Sequence, residues 1–360
     1  MPSDVWFSPL TEQHDEDAIR RKVGSLFDAA GFGAMIRPRG LVAVKVHFGE
    51  RGNHNYVKPR LLAPVIDRIE GAGGKPFWTD TNTLYLGQRS NAVDHIRLAE
   101  SHGFTVADTG IPVIIADGLT GRGEVRVPVP GKHSQEVGIA PAVAEAAALI
   151  VVSHATGHLV AGFGGAVKNL GMGLSSRKGK LYQHSVVKPT VDGQICIGCR
   201  SCIAWCPTGA ISMRGEHAHI DPDACIGCGE CLASCQIGAV RFQWRMASRG
   251  LQERMAEQAA GVAARLEGRI GYLTFVTDVG KDCDCLASNP SDVLIHRAGI
   301  LASLDPVALD RASIDLVERH LGGPLRRAAY DIDFEPQLEA AEALGLGSRA
   351  YDLVTLEGGA

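Results

Sequence analysis

"LVAVKVHF", Leu41–Phe48, decides the fold class. The run is nearly unbroken apolar and rich in β-branched residues, as strands buried on both faces of a parallel sheet are. Downstream, "KPRLLAPVIDRIEGAGG" (58–74) reads as a helix closed by glycine. "KPFWTD" (75–80) reads as a second strand and "SNAVDHIRLAESHGF" (90–104) as a second helix. "IPVIIAD" and "GEVRVPVP" read as further strands, and "APAVAEAAALIVVSH" as helix into strand, ending at His154. Far along the chain the pattern returns. "RMASRGLQERMAEQAAGVAARLEG" has helical spacing, "GRIGYLTFVTD" and "DVLIHRAG" read as strands, and "DPVALDRASIDLVERHLGG" as a helix. The expected fold is α/β, a mostly parallel sheet with helices on both faces. Ligands in such sheets bind at the carboxyl ends of strands, where His47, Asp80 and His154 fall.

Between the two α/β stretches lie "CIGCRSCIAWCP" and "CIGCGECLASCQ". Both follow C-x2-C-x2-C-x3-C, the bacterial ferredoxin pattern, in which the fourth cysteine of each run serves the other cluster. The expectation is two 4Fe–4S clusters. Cys196, Cys199, Cys202 and Cys235 would hold one; Cys225, Cys228, Cys231 and Cys206 would hold the other. Gly198, Gly227 and Gly229 would let the backbone bend and aim N–H groups at sulfur. "AISMRGEHAHID" between the runs reads as a hairpin with Arg214, Gly215 and Glu216 at its tip. A structural zinc site, with four ligands from two C-x2-C pairs, fits eight cysteines in two identical runs poorly. The expected organisation is an α/β domain (1–187 and 244–360) interrupted by a small inserted α+β dicluster ferredoxin-type domain (188–243).

Composition sets the limits. The chain has 360 residues, 45% hydrophobic and 21% charged, so it reads as globular. A net charge of −4 gives no electrostatic case for nucleic acid as a partner. No run approaches the roughly 20 apolar residues of a membrane helix, and the start lacks the pattern of a secretory signal. The expectation is a soluble cytoplasmic protein with no membrane partner. Ten cysteines in a reducing cytosol argue for metal or redox chemistry over disulfides.

Four stretches outside the cysteine runs carry chemistry. "KVHFGERGNHN" places His47 and Glu50 just past a strand, as metal ligands or an acid/base pair. "SHATGHLVAGFGGAVKNLGMG" places His154 and His158 four apart, on one face if the segment is helical. Its glycines permit close backbone approach, positive φ and an anion-binding nest, with Lys168, Asn169, Arg177, Lys178 and Lys180 nearby. It is not a Walker A loop, and it matches no nicotinamide or flavin fingerprint. "DVGKDCDCLASNP" holds Cys283 and Cys285, a pair that cannot easily bridge itself but can present thiolates to a metal, cluster or substrate. Asp282 and Asp284 oppose thiolate formation unless a cation sits there. Asp305 reads as a helix N-cap followed by Pro306.

Together, "KVHFGERGN", "GHLVAGFGGAVKNLGMG", "RKGK", "CDC" and "ILASLDPVALDRASIDLV", with the cysteine runs after "YQHSVVKPTVD", resemble the uncharacterised iron–sulfur centre protein family, domain of unknown function 362. The resemblance implies an α/β domain with an inserted dicluster ferredoxin and no particular substrate. It also implies a cysteine after "GMG" in relatives, where this chain has Leu174. The functional expectation is an iron–sulfur oxidoreductase. Its clusters, fed by a redox partner protein, would serve a site of His47, Glu50, His154, His158, Lys168, Asn169, Cys283 and Cys285 around an additional metal ion or a small anionic substrate. The alternative is a non-catalytic electron carrier whose α/β part is a docking module.

Overall fold

The computed structural model describes residues 2–85, 87–184, 188–225, 227, 229–241, 248–288 and 290–356. Cys228 lies outside the described residues, and the domain boundaries expected at 187/188 and 243/244 fall at undescribed segments.

The chain opens with β1 (Ser3–Pro9) and α1 (Glu16–Ala29), the helix capped by Asp15 accepting from Ala18 N at 2.8 Å. The expected strands and helices follow, β2 (Leu41–Lys45), α2 (Ala63–Gly71), β3 (Lys75–Asp80) and α3 (Ala92–Ser101), then a further short helix, α4 (Val106–Thr109), and the expected β4 (Val113–Ile115). β5 (Val125–Pro128) and β6 (Glu136–Ile139) form a separate antiparallel pair. After α5 (Pro141–Ala144) come β7 (Ala148–His154), β8 (Thr156–His158), β9 (Gly162–Gly164), α6 (Ala166–Gly171) and α7 (Arg177–His184).

The cysteine segment contains β10 (Thr190–Val191), α8 (Ser201–Ala204), β11 (Ile211–Arg214), β12 (His217–Ile220), α9 (Glu230–Ser234) and β13 (Val240–Arg241). β11 and β12 form the expected hairpin, with Arg214 opposite His217 and Gly215 at φ 62° in the two-residue turn. β10 pairs with β13, so the segment's two ends meet. Cys202, Cys231, Cys235, Ile211, Ile220 and Leu232 bury one another in a small core of their own.

The chain ends with α10 (Ser248–Arg265), β14 (Ile270–Gly280), β15 (Val293–Ser303), α11 (Pro306–Leu321), α12 (Leu325–Ala328), α13 (Glu335–Ala343) and β16 (Tyr351–Thr355). Asp305 caps α11 as expected, accepting from Val307 N and Ala308 N.

Eight strands form one sheet in the order β16-β1-β15-β14-β7-β2-β3-β4. It draws strands from both sides of the cysteine segment. Five neighbouring pairs are parallel, while β1–β15 and β14–β15 are antiparallel, so the sheet is mixed. Strand residues alternate between two cores. Val42, Val44, Ile150 and Val152 face α1 and α2; Ala43, Leu149 and Val151 face the side packed by α6, α10 and α11. β7, β2 and β3 run parallel beside β14, so their carboxyl ends open on one rim.

Candidate functional site

The rim site grows from buried charge. Lys45, at the end of β2, is fully buried and lies 3.2 Å from Asp80 at the end of β3. Burial pulls the Lys45 pKa down against the attraction of Asp80. Burial also opposes ionisation of Asp80, but Lys45, aided by His95, His47 and Arg89, holds that carboxyl well below the usual range. Asn169 on α6 accepts from Lys45 Nζ at 2.7 Å and donates to Val152 O at 2.8 Å, pinning the helix to β7.

The loop after β3 supplies the next layer. Arg89 is buried and donates from Nε to Glu50 Oε2 at 3.2 Å, and from Nη2 to the Tyr85 hydroxyl. Its Nη1 lies 2.7 Å from His47 Nε2. The Tyr85 hydroxyl also reaches Glu50 Oε2 at 3.2 Å and Cys285 O at 3.3 Å. His47 Nδ1 accepts from Gly49 N at 3.0 Å, and its Nε2 stands 3.5 Å from Cys285 Sγ. Burial, then the Arg89 charge, lowers the His47 pKa, so the ring is neutral at pH 7.

Cys283–Leu286 is a tight turn closed by Leu286 N donating to Cys283 O at 3.1 Å. Two further bonds zip it to the loop after β2: Glu50 N to Asp284 O at 2.9 Å and Asn53 Nδ2 to Leu286 O at 2.8 Å. The two aspartates flanking Cys283 are already engaged. Asp284 lies 3.0 Å from His154 Nδ1, and Asp282 accepts from Tyr330 OH at 2.6 Å. Lys168 is the cation that the aspartates made necessary. Burial lowers its pKa, but Cys283, Cys285 and Asp284 outweigh that and raise it. The Cys283 thiol is lowered to about 6, first by its hydrogen bond with Cys285, then by Lys168 against burial. The same bond raises Cys285, with burial adding to it.

Two expectations need correction. His154 and His158 share no helical face: β7 ends at one and β8 at the other, and between them Gly157 packs its backbone against Lys281 O, where a Cβ would stand 2.2 Å away. His154 uses both nitrogens, on Asp284 and on Thr277 O at 2.6 Å. His158 Nδ1 accepts from Ala161 N at 2.9 Å, and burial, then Lys168, drops its pKa to about 3. The glycine-rich stretch is also not an open nest. Ala166 N and Val167 N, at the start of α6, donate to Asp310 at 2.6 and 2.9 Å. Of its six glycines only Gly162 has positive φ (75°); Gly165 is small because Asp310 Oδ1 would lie 2.3 Å from a Cβ there. The basic residues are dispersed too. Lys178 pairs with Glu124 and Glu230, while Lys180 donates to Thr81 Oγ1 and Asn82 O.

The structure therefore brings His47, Glu50, Cys283, Cys285 and Lys168 into one neighbourhood, with His154 and Asn169 behind as supports. Sequence reasoning missed Lys45, Tyr85 and Arg89 as site residues. A lysine inside an apolar strand was the one available signal.

The described cysteines of the two runs line two cavities. Cys196, Cys199, Cys202 and Cys235 share one; Cys206, Cys225 and Cys231 share the other. Backbone N–H groups aim at sulfur: Ala210 at Cys206 (3.2 Å), Ala218 at Cys196 (3.4 Å) and Gly227 at Cys225 (3.4 Å). Among the described residues, no three His, Cys, Asp or Glu side chains converge as a closed metal-ligand set. The segment is fastened to the α/β body. Glu230 pairs with Arg122 and Lys178, each at 2.9 Å, and Arg122 lies over the Trp205 ring at 3.3 Å. Leu84 and Leu181 pack into the cysteine core, and Leu84 O accepts from Arg177 at 3.2 Å. Leu84 thus touches the cysteine core while its neighbour Tyr85 touches Cys285.

Residues 42–315, spanning both the rim site and the cysteine runs, match the family described as domain of unknown function (DUF362). The chain belongs to the DUF362 family. No curated protein matches it. Among solved structures, the DUF362 chain is similar to the lactate racemase apoprotein from Thermoanaerobacterium thermosaccharolyticum. That match has 12% identity and a TM-score of 0.41, covering 86% of this chain and 57% of that one. It is also similar to a structural-genomics target protein from Thermotoga maritima, at 10% identity and a TM-score of 0.41, covering 93% and 60%. The DUF362 chain spans less than two thirds of the length of either. In this DUF362 member Leu174 is fully buried, with its carbonyl accepting from Ala140 N at 2.9 Å. No helix among the described residues is long and apolar enough to cross a membrane.

Proposed function

We propose that this DUF362 protein is an iron–sulfur electron-transfer protein, an oxidoreductase whose cysteine segment holds two 4Fe–4S clusters serving the rim site. The observation that carries this reading is the crossed grouping of the cysteines. Cys235, from the second run, joins the first three of run one, and Cys206, from the first run, joins Cys225 and Cys231. That is the exchange two-cluster ferredoxins make, with four thiolates per cluster. Cys228 supplies the fourth ligand of the second set by its place in the motif. The N–H groups aimed at Cys196, Cys206 and Cys225 suit sulfur that carries negative charge. Bound there, each cluster supplies one-electron redox chemistry.

The rest is the work of this chain's own side chains. Leu84 and Tyr85 join the cysteine core to the rim, a covalent step of one residue. His47, Lys168, Cys283 and Cys285 offer a neutral donor, a half-buried cation and two thiols to a metal ion or a small anion. Exposed Cys199 places the first set next to solvent, where a redox partner protein can exchange electrons. A pure carrier has no use for a lowered thiol beside a half-buried lysine, which favours the oxidoreductase over the docking-module alternative. The test is anaerobic reduction followed by electron paramagnetic resonance. The account expects about two electrons taken up reversibly per chain; no reducible paramagnetic centre would overturn it.

A further inference from the structure

Cys283 and Cys285 occupy the first and third positions of a closed turn. On a strand, alternate Cα atoms stand about 6.6 Å apart, near the upper limit for a disulfide. A turn draws them to about 5.5 Å, in the middle of the span of about 4.4–6.8 Å that disulfides use. The turn is held from three sides. Asp284, between the two cysteines, is tied through its side chain to His154 and through its carbonyl to Glu50 N. Leu286 O is held by Asn53, and Cys285 O by Tyr85. Both cysteines are half-buried residues. Lys168 faces them with positive charge, and the His47 edge stands 3.5 Å from Cys285 Sγ.

We propose that Cys283 and Cys285 are a redox-active dithiol that opens and closes one intramolecular disulfide. Closing joins the Cys283 thiolate to the Cys285 thiol, forms one S–S bond, releases one proton to solvent and gives up two electrons. Opening takes up two electrons and one proton and restores thiolate and thiol. The two electrons match two one-electron carriers, so the inference rests on the cluster reading for its electron source. His47 positions sulfur: its Nε2 stands between the Arg89 guanidinium, at 2.7 Å, and Cys285 Sγ, at 3.5 Å. Lys168 balances the negative sulfur that opening produces.

The test uses full-length protein purified anaerobically. The chain is poised in glutathione or dithiothreitol buffers, quenched in acid and alkylated, and the peptide carrying residues 283–285 is weighed. The expected result is a peptide two mass units lighter and unalkylated under oxidising conditions. It should become doubly alkylated on reduction, with a two-electron dependence on potential. Cys283→Ser and Cys285→Ser should each abolish the light form while leaving iron content and far-ultraviolet circular dichroism unchanged. Two thiols alkylated under every poise would overturn the proposal, as would protection that a metal chelator removes. Iron analysis on the same sample separates the two readings. Clusters present with an inert thiol pair would sink the dithiol alone. A working disulfide without iron would sink the cluster reading alone.

Discussion

His47 Nε2 lies 3.5 Å from Cys285 Sγ, joining the loop after β2 to the turn after β14. The contact sits at one end of a continuous set of side chains running from Cys285 through Tyr85 to Leu84 and the cysteine core. Chemistry at the rim and the cysteines of the middle segment are thus parts of one structure.

Cys283 is expected to react as a thiolate at neutral pH. With its pKa near 6, alkylation should be fast and flat above pH 7 and slow as pH falls below 6. Lys168→Met removes a favourable charge and should move the midpoint upward, read from the pH dependence of iodoacetamide labelling. An unmoved midpoint would remove Lys168 from the site.

The His154–Asp284 pair should stabilise the fold within a pH window. Burial opposes charge on both partners, yet their attraction raises the His154 pKa and lowers that of Asp284. The contribution is fully present between about pH 4 and 6.5. It is lost as pH rises through the raised His154 value, and as pH falls through the lowered Asp284 value. His154→Gln strands a buried carboxylate and should cost about 3–5 kcal/mol in urea unfolding at pH 6. Adding Asp284→Asn should recover part of that loss.

The glycine-rich stretch should prove sensitive to one methyl group. Gly165→Ala puts a Cβ 2.3 Å from Asp310 Oδ1 and 2.5 Å from Phe163 Cε1, and should lower the unfolding temperature. Asp310→Ala leaves the Ala166 and Val167 N–H groups unpaired in a buried site, a loss of about 1–3 kcal/mol. Gly165→Ala should leave phosphate binding unaltered, because the amides already serve Asp310.

The cysteine grouping predicts crossed losses. Cys235→Ser should remove the same cluster as Cys199→Ser, and Cys206→Ser the same cluster as Cys225→Ser, each leaving about four irons of eight. Iron counting on the four variants, with spectra identifying the surviving centre, checks this.

Much of the fold was legible because parallel strands announce themselves. β2 and β7 are apolar on both faces, through Val42, Val44, Ile150 and Val152 on one and Ala43, Leu149 and Val151 on the other, and a run of that kind has few other readings. β1 and β16 were not legible: β1 pairs with β16 on one side and β15 on the other across the length of the chain, a relationship no local pattern encodes. The antiparallel turn at β15 escaped for the same reason. In the site, His47, Glu50 and the C-x-C pair stood out by residue type and position after strands. Arg89 and Tyr85 lie in a loop with no motif, and their roles come only from where that loop folds. The His154–His158 spacing misled because spacing carries meaning only once the secondary structure is known, and here β7 and β8 carry the two residues on separate strands.

The central claim is that the cysteine segment carries two 4Fe–4S clusters. Iron and acid-labile sulfide, measured on protein purified without oxygen, test it most directly. The account predicts about eight of each per chain; protein carrying zinc, or neither iron nor sulfide, would contradict it.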